Sequence, residues 1–118
     1  MPVTAADLHA RLLALKGAVL DYPFGPEVAV FKLRGKVFAM VAAAPAGVRV
    51  TLKCDPVLAE ALREAHPAVQ PGYHTNTRHW NTVHLDVGID EAVLWDMIDS
   101  SYGLVRQSLP RKAQAELG

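Results

Sequence analysis

The stretch from Gly72 to Leu85 holds the densest group of side chains that could do chemistry. It contains three of the five histidines (His74, His79 and His84), one of the two tryptophans and no carboxylate. Such hydrogen-bond donors and flat rings suit a recognition surface, and they can equally hold a loop together through a polar network. The residue types predict one of these two roles and do not separate them.

The spacing of the three histidines does not favour a metal site. Residues five apart lie on opposite faces of a strand and about 140° apart around a helix, so their rings do not converge. No H-x-x-x-H pair and no second cysteine accompany them, although zinc sites usually combine such ligands. We therefore expect no metal and no other cofactor.

The single cysteine, Cys54, follows Lys53 and stands directly before a helix start at Asp55-Pro56. A neighbouring cation and a helix N-terminus can both activate a thiol, but most free cysteines are small buried side chains. We interpret Cys54 as a structural residue at the end of a strand. No Ser-His-Asp order and no Gly-rich phosphate loop is present, so the sequence predicts a protein that is not an enzyme.

Basic and acidic residues are segregated along the chain. No acid lies between Val28 and Cys54, a segment that holds five of the twelve basic residues: Lys32, Arg34, Lys36, Arg49 and Lys53. Because side chains alternate along a strand, the basic residues, together with Trp80 and His84, should lie opposite the apolar ones. The pattern predicts a basic sheet face, which either binds polyanions or simply keeps an exposed sheet soluble.

The elements that position these residues are delimited by caps, turns and periodicity. Thr4 and Asp7 begin the first helix as a capping box, Asp55 and Asp90 cap two later helices, and Arg34-Gly35-Lys36 marks a hairpin. The predicted strands are Val28–Arg34, Val37–Ala43, Val48–Lys53, Val69–Tyr73 at a sheet edge, and Trp80–Asp86. The order α-β-β-β-α-β-β-α, with one apolar stripe per helix, predicts a two-layer α+β sandwich: an antiparallel sheet with helices on one face.

Three packing expectations follow from periodicity. The helix after Asp55 should bury Leu58, Ala61, Leu62 and Ala65, and the helix after Asp90 should bury Leu94, Met97, Ile98, Ser101 and Val105. Trp95 and Tyr102 flank that second stripe and are expected to widen the core. The segment Tyr22-Pro23-Phe24-Gly25-Pro26 could form a ligand groove, but packing of its rings over a core edge is the preferred interpretation.

Length and composition indicate one domain over residues 1–118, with a frayed tail at 111–118. The chain is 51% hydrophobic and its formal net charge is zero, which does not favour a strongly basic nucleic-acid binder. No signal peptide and no run of about 20 apolar residues is visible. One cysteine suits a reducing compartment. We therefore expect a cytoplasmic protein without a membrane partner.

Several segments together resemble the MmcQ/YjbR family of small bacterial proteins. They are Tyr22-Pro23-Phe24-Gly25-Pro26-Glu27, Val30-Phe31-Lys32, Gly35-Lys36-Val37-Phe38-Ala39, Leu52-Lys53-Cys54-Asp55-Pro56, Pro71-Gly72-Tyr73-His74, Arg78-His79-Trp80-Asn81-Thr82-Val83 and Ile98-Asp99-Ser100-Ser101-Tyr102. The resemblance implies a compact α+β domain with an antiparallel sheet. It also implies DNA binding through a double-wing arrangement of hairpins, without known catalytic residues.

Two hypotheses from different classes remain open. The first is weak, largely non-specific DNA binding through the basic residues and Trp80; its candidate residues are Lys32, Arg34, Lys36, Arg49, Lys53, Arg78 and Trp80. The second is a protein-interaction or small-ligand domain in which the histidine-rich loop forms the site; its candidate residues are Tyr73, His74, Arg78, His79 and Asn81. Salt-dependent binding to DNA would separate the two hypotheses.

Overall fold

The computed structural model describes residues 3–44, 47–72 and 75–118. The described residues form four helices and six strands. The helices are α1 (Ala5–Leu13), α2 (Pro56–Ala65), α3 (Glu91–Gln107) and α4 (Arg111–Leu117). The strands are β1 (Ala18–Asp21), β2 (Val28–Leu33), β3 (Lys36–Ala44), β4 (Gly47–Lys53), β5 (Val69–Pro71) and β6 (Trp80–His84). Among these residues, no helix is long and apolar enough to span a membrane.

The six strands form one antiparallel sheet in the order β1-β2-β3-β4-β6-β5. The connection between β2 and β3 is a two-residue turn in which Arg34 and Gly35 both have positive φ angles, 52° and 83°. That geometry matches the right-handed twist of the flanking strands. The helices pack on one face of this sheet, so the expected two-layer α+β sandwich is confirmed.

The main core lies between the helices and one sheet face. Its largest fully buried side chains include Phe31 of β2, Phe38 of β3 and Leu52 of β4, packed with Leu94 and Ile98 of α3. Full burial of each such side chain stabilises the fold by about 1.5–3 kcal/mol relative to exposure. The α3 residues predicted from periodicity, Ser101 included, are all buried, so that prediction is confirmed.

A polar contact links α3 to the sheet inside this core. The Ser101 hydroxyl donates to the Phe38 carbonyl oxygen at 2.5 Å and accepts from the Lys53 amide at 2.9 Å. The last residue pair between β3 and β4 is Ala39 with Leu52, and these two residues are the chain neighbours of Phe38 and Lys53. The hydroxyl therefore bridges the two strands where their direct pairing stops.

The predicted helix starts are also confirmed. The Thr4 hydroxyl accepts from the Asp7 amide at 3.1 Å, and the Asp7 carboxylate accepts from the Thr4 amide at 2.9 Å. Asp55 and Asp90 cap α2 and α3 through their side chains. These bonds satisfy amides that have no partner within their helices.

Two elements were missed by the sequence analysis. Strand β1 is only four residues long, too short for a recognisable alternation, and it adds a strand before β2. The tail expected to fray is helix α4, which docks through the buried Leu117. It is held further by an ion pair between Arg34 and Glu116 at 3.6 Å, and by Arg106, which donates to the carbonyl oxygen of Gly118 at 3.0 Å.

The predicted buried face of α2 is wrong. Ala59 is the buried residue of this helix, whereas Leu58 is 45% exposed and Ala61 and Ala65 are exposed; of the predicted stripe, Leu62 alone packs partly buried against the main core. The helix contacts mainly β5 and β6 at one edge of the sheet. A helix at an edge buries a narrower stripe than one packed over the sheet centre, and alanine-rich patterns specify the orientation of that stripe poorly.

Candidate functional site

The sheet face opposite the helices carries a groove of about 640 Å³. We call it the sheet groove. The described residues that line it are mainly apolar or aromatic and come from β2, β3, β4, β6 and two loops: Phe24, Val28, Val37, Met40, Ala42, Arg49, Thr51, Thr75, Asn76 and Trp80. Its volume lies within the range of about 300–1,000 Å³ that is usual for small-molecule sites.

Strand alternation explains the groove floor. Met40 and Ala42 of β3 point away from the helix layer because Ala39 and Val41, their neighbours in the chain, belong to the main core. Across the sheet, Met40 is paired with Thr51, and Thr51 is paired in turn with Thr82 of β6. The two threonine hydroxyls lie 2.8 Å apart and both residues are buried, which gives this part of the sheet a fixed polar contact.

The groove walls are aromatic. Phe24 lies in the loop between β1 and β2 and is 74% exposed, so the preferred interpretation that its ring packs over a core edge is wrong. Trp80 begins β6 and is half-buried. Gly72 packs closely beneath this wall: a methyl group there would clash with the Thr75 hydroxyl and lie 2.7 Å from the Trp80 Cβ.

The predicted basic sheet face is wrong as a single surface. Of the five basic residues predicted on this face, Arg49 is the one that lines the sheet groove. Lys32 lies on the same face near β1, 3.3 Å from the Asp21 carboxylate. Arg34 lies in the hairpin turn, and Lys36 donates to the Ser108 hydroxyl at 3.1 Å, near the end of α3. The cations separate because hairpin residues bend toward the helix layer instead of continuing the strand alternation.

Two further basic candidates lie near α2. Lys53, at the end of β4, borders a 320 Å³ cavity lined also by residues of α2 and α3. Arg78 borders a different hollow, together with Glu60 and Arg63 of α2. Of the predicted nucleic-acid residues, Arg49 and Trp80 are thus the two that the sheet groove brings together.

The histidine-rich loop does not form one pocket in the residues that can be described. Tyr73 and His74 lie outside them. Asn76 accepts from the Arg78 amide at 3.0 Å, so the predicted side-chain bonding within the loop is confirmed there. The His79 carbonyl oxygen accepts from the Cys54 amide at 2.7 Å, which ties the loop to the end of β4.

Asn81, also predicted at the ligand site, lies in the interior. Its side chain is fully buried and donates to the Ala59 carbonyl oxygen of α2 at 3.3 Å. It therefore connects β6 to α2 and does not reach the sheet groove. The reason is alternation: Asn81 shares a face with Val83, which belongs to the main core, whereas Trp80 and Thr82 point to the opposite face.

Cys54 is buried, in agreement with its interpretation as a structural residue. Burial raises the pKa of its thiol, and the neighbouring Asp55 carboxylate raises it further. The thiol therefore remains protonated at neutral pH and is a poor nucleophile. Within the described ranges, no three His, Cys, Asp or Glu side chains converge closely enough to hold a metal ion.

The sequence analysis missed the apolar lining of the groove, including Val28, Val37 and Met40. A signal for it was present. Residues 28–31 and 37–43 are apolar at both the odd and the even positions, which is typical of strands with two apolar faces rather than one.

The fold and the groove together define a small α+β domain with an uncovered, partly apolar sheet face. The model of the YjbR family matches residues 13–104. The chain belongs to the YjbR family, as the resemblance implied.

Relatives and solved structures agree with this assignment. The chain is 37% identical over 112 residues to the uncharacterized protein YbdF of Escherichia coli O157:H7, with 92% of each chain covered. It is 32% identical over 110 residues to the uncharacterized protein YjbR of Escherichia coli K12, with 93% of each covered. The crystal structure of the Deinococcus radiodurans protein DR2400, with domain DUF419, superposes with a TM-score of 0.91 at 34% identity, covering 100% of this chain and 91% of that one.

Proposed function

We propose that this domain is a non-enzymatic binding module and that the sheet groove is its binding site. The observation that supports this most is the position of Phe24 and Trp80, whose aromatic rings border an apolar floor on the face that the helices leave uncovered. A concave apolar surface with a few polar groups is the usual character of a ligand site. Keeping such a surface accessible to water is unfavourable unless something binds there.

The chemistry of the lining supports binding rather than catalysis. Among the described lining residues, Arg49 is the one ionisable side chain. A guanidinium stays protonated in proteins, so it cannot exchange protons as a general acid or base near neutral pH. It can orient a ligand. The free thiol of Cys54, buried in the interior, further supports a proposal of cytoplasmic localisation.

An NMR screen of small aliphatic and aromatic compounds and short peptides would test the groove as the site. We expect the amide shifts that respond to binding to cluster around Met40, Thr51 and Trp80. Phe24→Ala should weaken binding at least several-fold, because an exposed aromatic wall is lost. Val57→Ala is the matched control, since Val57 is an equally exposed apolar side chain (80%) on α2, outside the groove. Hits that map elsewhere, or equal effects of the two variants, would refute the proposal.

Nucleic-acid binding is the second candidate function, and the pairing of Trp80 with a cation favours it. Trp80 of β6 is paired with Lys53 of the neighbouring strand β4, Arg49 lines the groove, and Lys32 lies on the same face because its neighbours Phe31 and Leu33 belong to the main core. Aromatic rings beside cations suit single strands, where base stacking adds about 1–3 kcal/mol per base. With about three phosphates neutralised, the log–log salt slope should be about −2 for single strands and about −3 for duplex DNA.

Titration with single-stranded and duplex DNA at several salt concentrations tests this second candidate. We expect dissociation constants of about micromolar or weaker, with weaker binding for Arg49→Glu on every sequence alike. Arg111→Glu, on the exposed start of α4, is a control of the same charge change. Absence of binding at low salt would leave the ligand-binding proposal alone, whereas tight sequence-selective binding would contradict both.

A further inference from the structure

We infer that the ligand of the sheet groove is a small amphipathic carboxylate whose anionic end pairs with Arg49 and whose apolar body lies over Met40 toward Trp80. This inference rests on the proposed function and specifies its ligand chemistry. It depends on three features of the groove: the sign of its charge, the position of that charge, and the length of apolar surface beside it.

The charge of the groove selects an anion. The described lining contains one formal charge, the Arg49 guanidinium, and no carboxylate. A guanidinium matches a carboxylate with two parallel hydrogen bonds, which makes the pair both stronger and more directional than a point-charge contact. Its five N–H donors allow Arg49 to bind a ligand while it also contacts the protein.

The position of Arg49 selects an elongated ligand. Arg49 is paired with His84 on β6, and Trp80 lies four residues before His84 on that strand. At about 3.3 Å per residue, the backbone positions of Arg49 and Trp80 are about 13 Å apart along the strands. Thr51 of β4 lies between them, and the groove continues over Met40 of the neighbouring strand β3, which is paired with Thr51. An extended chain of about ten atoms spans such a distance.

The volume of the groove agrees with a small molecule. At about 640 Å³, the groove holds a ligand of this length with room for a ring or a branch. Met40 is an unbranched, adaptable side chain, so the floor can adjust to different apolar bodies. The structure therefore specifies a class of ligand, an apolar body with one terminal carboxylate, rather than a single compound.

A suitable probe set varies only the head group: decanoate, decan-1-ol and decylammonium. Each is used at a concentration at which it is monomeric in solution. Fluorescence in a Trp95→Phe background makes Trp80 the sole tryptophan, since the chain has two. Trp95 is remote from the groove, stacked against Arg11 of α1 at 4.9 Å. We expect decanoate to bind about tenfold tighter than decan-1-ol, and decylammonium to bind most weakly.

Substitutions then locate the charge recognition. Arg49→Gln should remove the preference for decanoate over decan-1-ol while decan-1-ol binding persists, and Arg49→Lys should keep part of the preference. Arg111→Gln is the matched control, because Arg111 is an exposed arginine at the start of α4, outside the groove. Met40→Gln should weaken decanoate and decan-1-ol alike. Thermal melts verify that each variant is folded.

The outcomes separate the ligand class from the proposed function. Equal affinities for the three probes, all weakened in Met40→Gln, would overturn the carboxylate inference and leave the groove as a binding site. A preference for decanoate that survives Arg49→Gln would overturn it too. No binding of any probe would overturn the inference, and the compound screen described above would then decide whether the groove binds other ligands or none.

Discussion

The two faces of the sheet differ less in composition than in what covers them. On the helix side, Phe38, Leu52 and Val83 are almost completely buried within the main core. On the groove side, Met40 and Trp80 are as apolar in character but remain partly accessible, and Phe24 is largely exposed. The central strands therefore carry two apolar faces, of which the protein covers one with its own helices.

This difference indicates where stability and function reside. Side chains on the helix side contribute to folding because their burial is complete and their packing is dense. The exposed side chains on the groove side contribute little to folding, so they can be exchanged at small cost. Apolar residues that contribute little to stability and yet lie together on a concave surface are typical of a binding site. The predictions that follow test this separation from the largest expected effect to the smallest.

Truncation of one phenylalanine on each face tests the separation directly. Phe38→Ala should lower the free energy of unfolding by about 3–5 kcal/mol, because it removes a fully buried ring. Phe24→Ala should change it by less than about 0.5 kcal/mol, because Phe24 is 74% exposed. Urea denaturation followed by circular dichroism measures both. A comparable loss in the two variants would mean that the groove face is a second core.

Helix α4 tests how far the helix-side core extends. Leu117→Ala should lower the free energy of unfolding by about 2–3 kcal/mol, because the buried Leu117 side chain closes the core beside Gly17 and Leu33. Glu116→Ala is the control: it removes an exposed ion pair with Arg34, which should be worth less than about 1 kcal/mol. A negligible effect of Leu117→Ala would restore the sequence-based expectation of a frayed tail.

The buried Ser101 hydroxyl should have the next largest effect. Ser101→Ala should lower the free energy of unfolding by about 1–2 kcal/mol, because the Phe38 carbonyl and the Lys53 amide both lose their hydroxyl partner. Ser100→Ala, at the exposed neighbouring position, should have almost no effect. Amide hydrogen exchange at Lys53 should accelerate in Ser101→Ala alone; unchanged exchange there would contradict the bridging role.

Much of the fold could be predicted because its signals are local. Thr4 and Asp90 cap helices through nearby residues, and the α3 stripe from Leu94 to Val105 recurs with a helical period within a 17-residue helix. The two missed elements, β1 and α4, are short, with four and seven residues, and their formation depends on contacts distant in sequence. Their local propensities are too weak to identify them without those contacts.

The candidate site was harder to predict because it depends on the whole sheet. Arg49 and Trp80 were named as candidates, and alternation placed both correctly on the groove face. Extending the alternation beyond β2 places Arg34 on that face, but its positive φ angle in the turn redirects it toward α4. No local pattern indicates that Phe24 and Met40 would line one groove, since the pairing of β2 with β3 brings the loop before β2 to that face.

The smallest expected effect concerns Asp21, which anchors the loop of the groove wall. Its carboxylate accepts from the Tyr22 amide at 2.8 Å and from the Lys32 ammonium at 3.3 Å. These bonds, the amide first, hold the pKa of Asp21 below its usual range. The anchoring is therefore complete above the ordinary carboxyl pKa of about 3.9 and is lost as the pH falls through the lowered value.

An NMR titration between about pH 2 and pH 6 tests this anchor. The Tyr22 amide and the Phe24 ring should shift with one midpoint below the ordinary value, and Asp21→Asn should abolish that step. Lys32→Gln should raise the midpoint only partly, because the larger contribution of the amide remains. Signals of the helix-side core, such as Ile98, should not follow the transition. If they do, the groove wall and the core respond as one unit, and the two faces of the sheet are not independent.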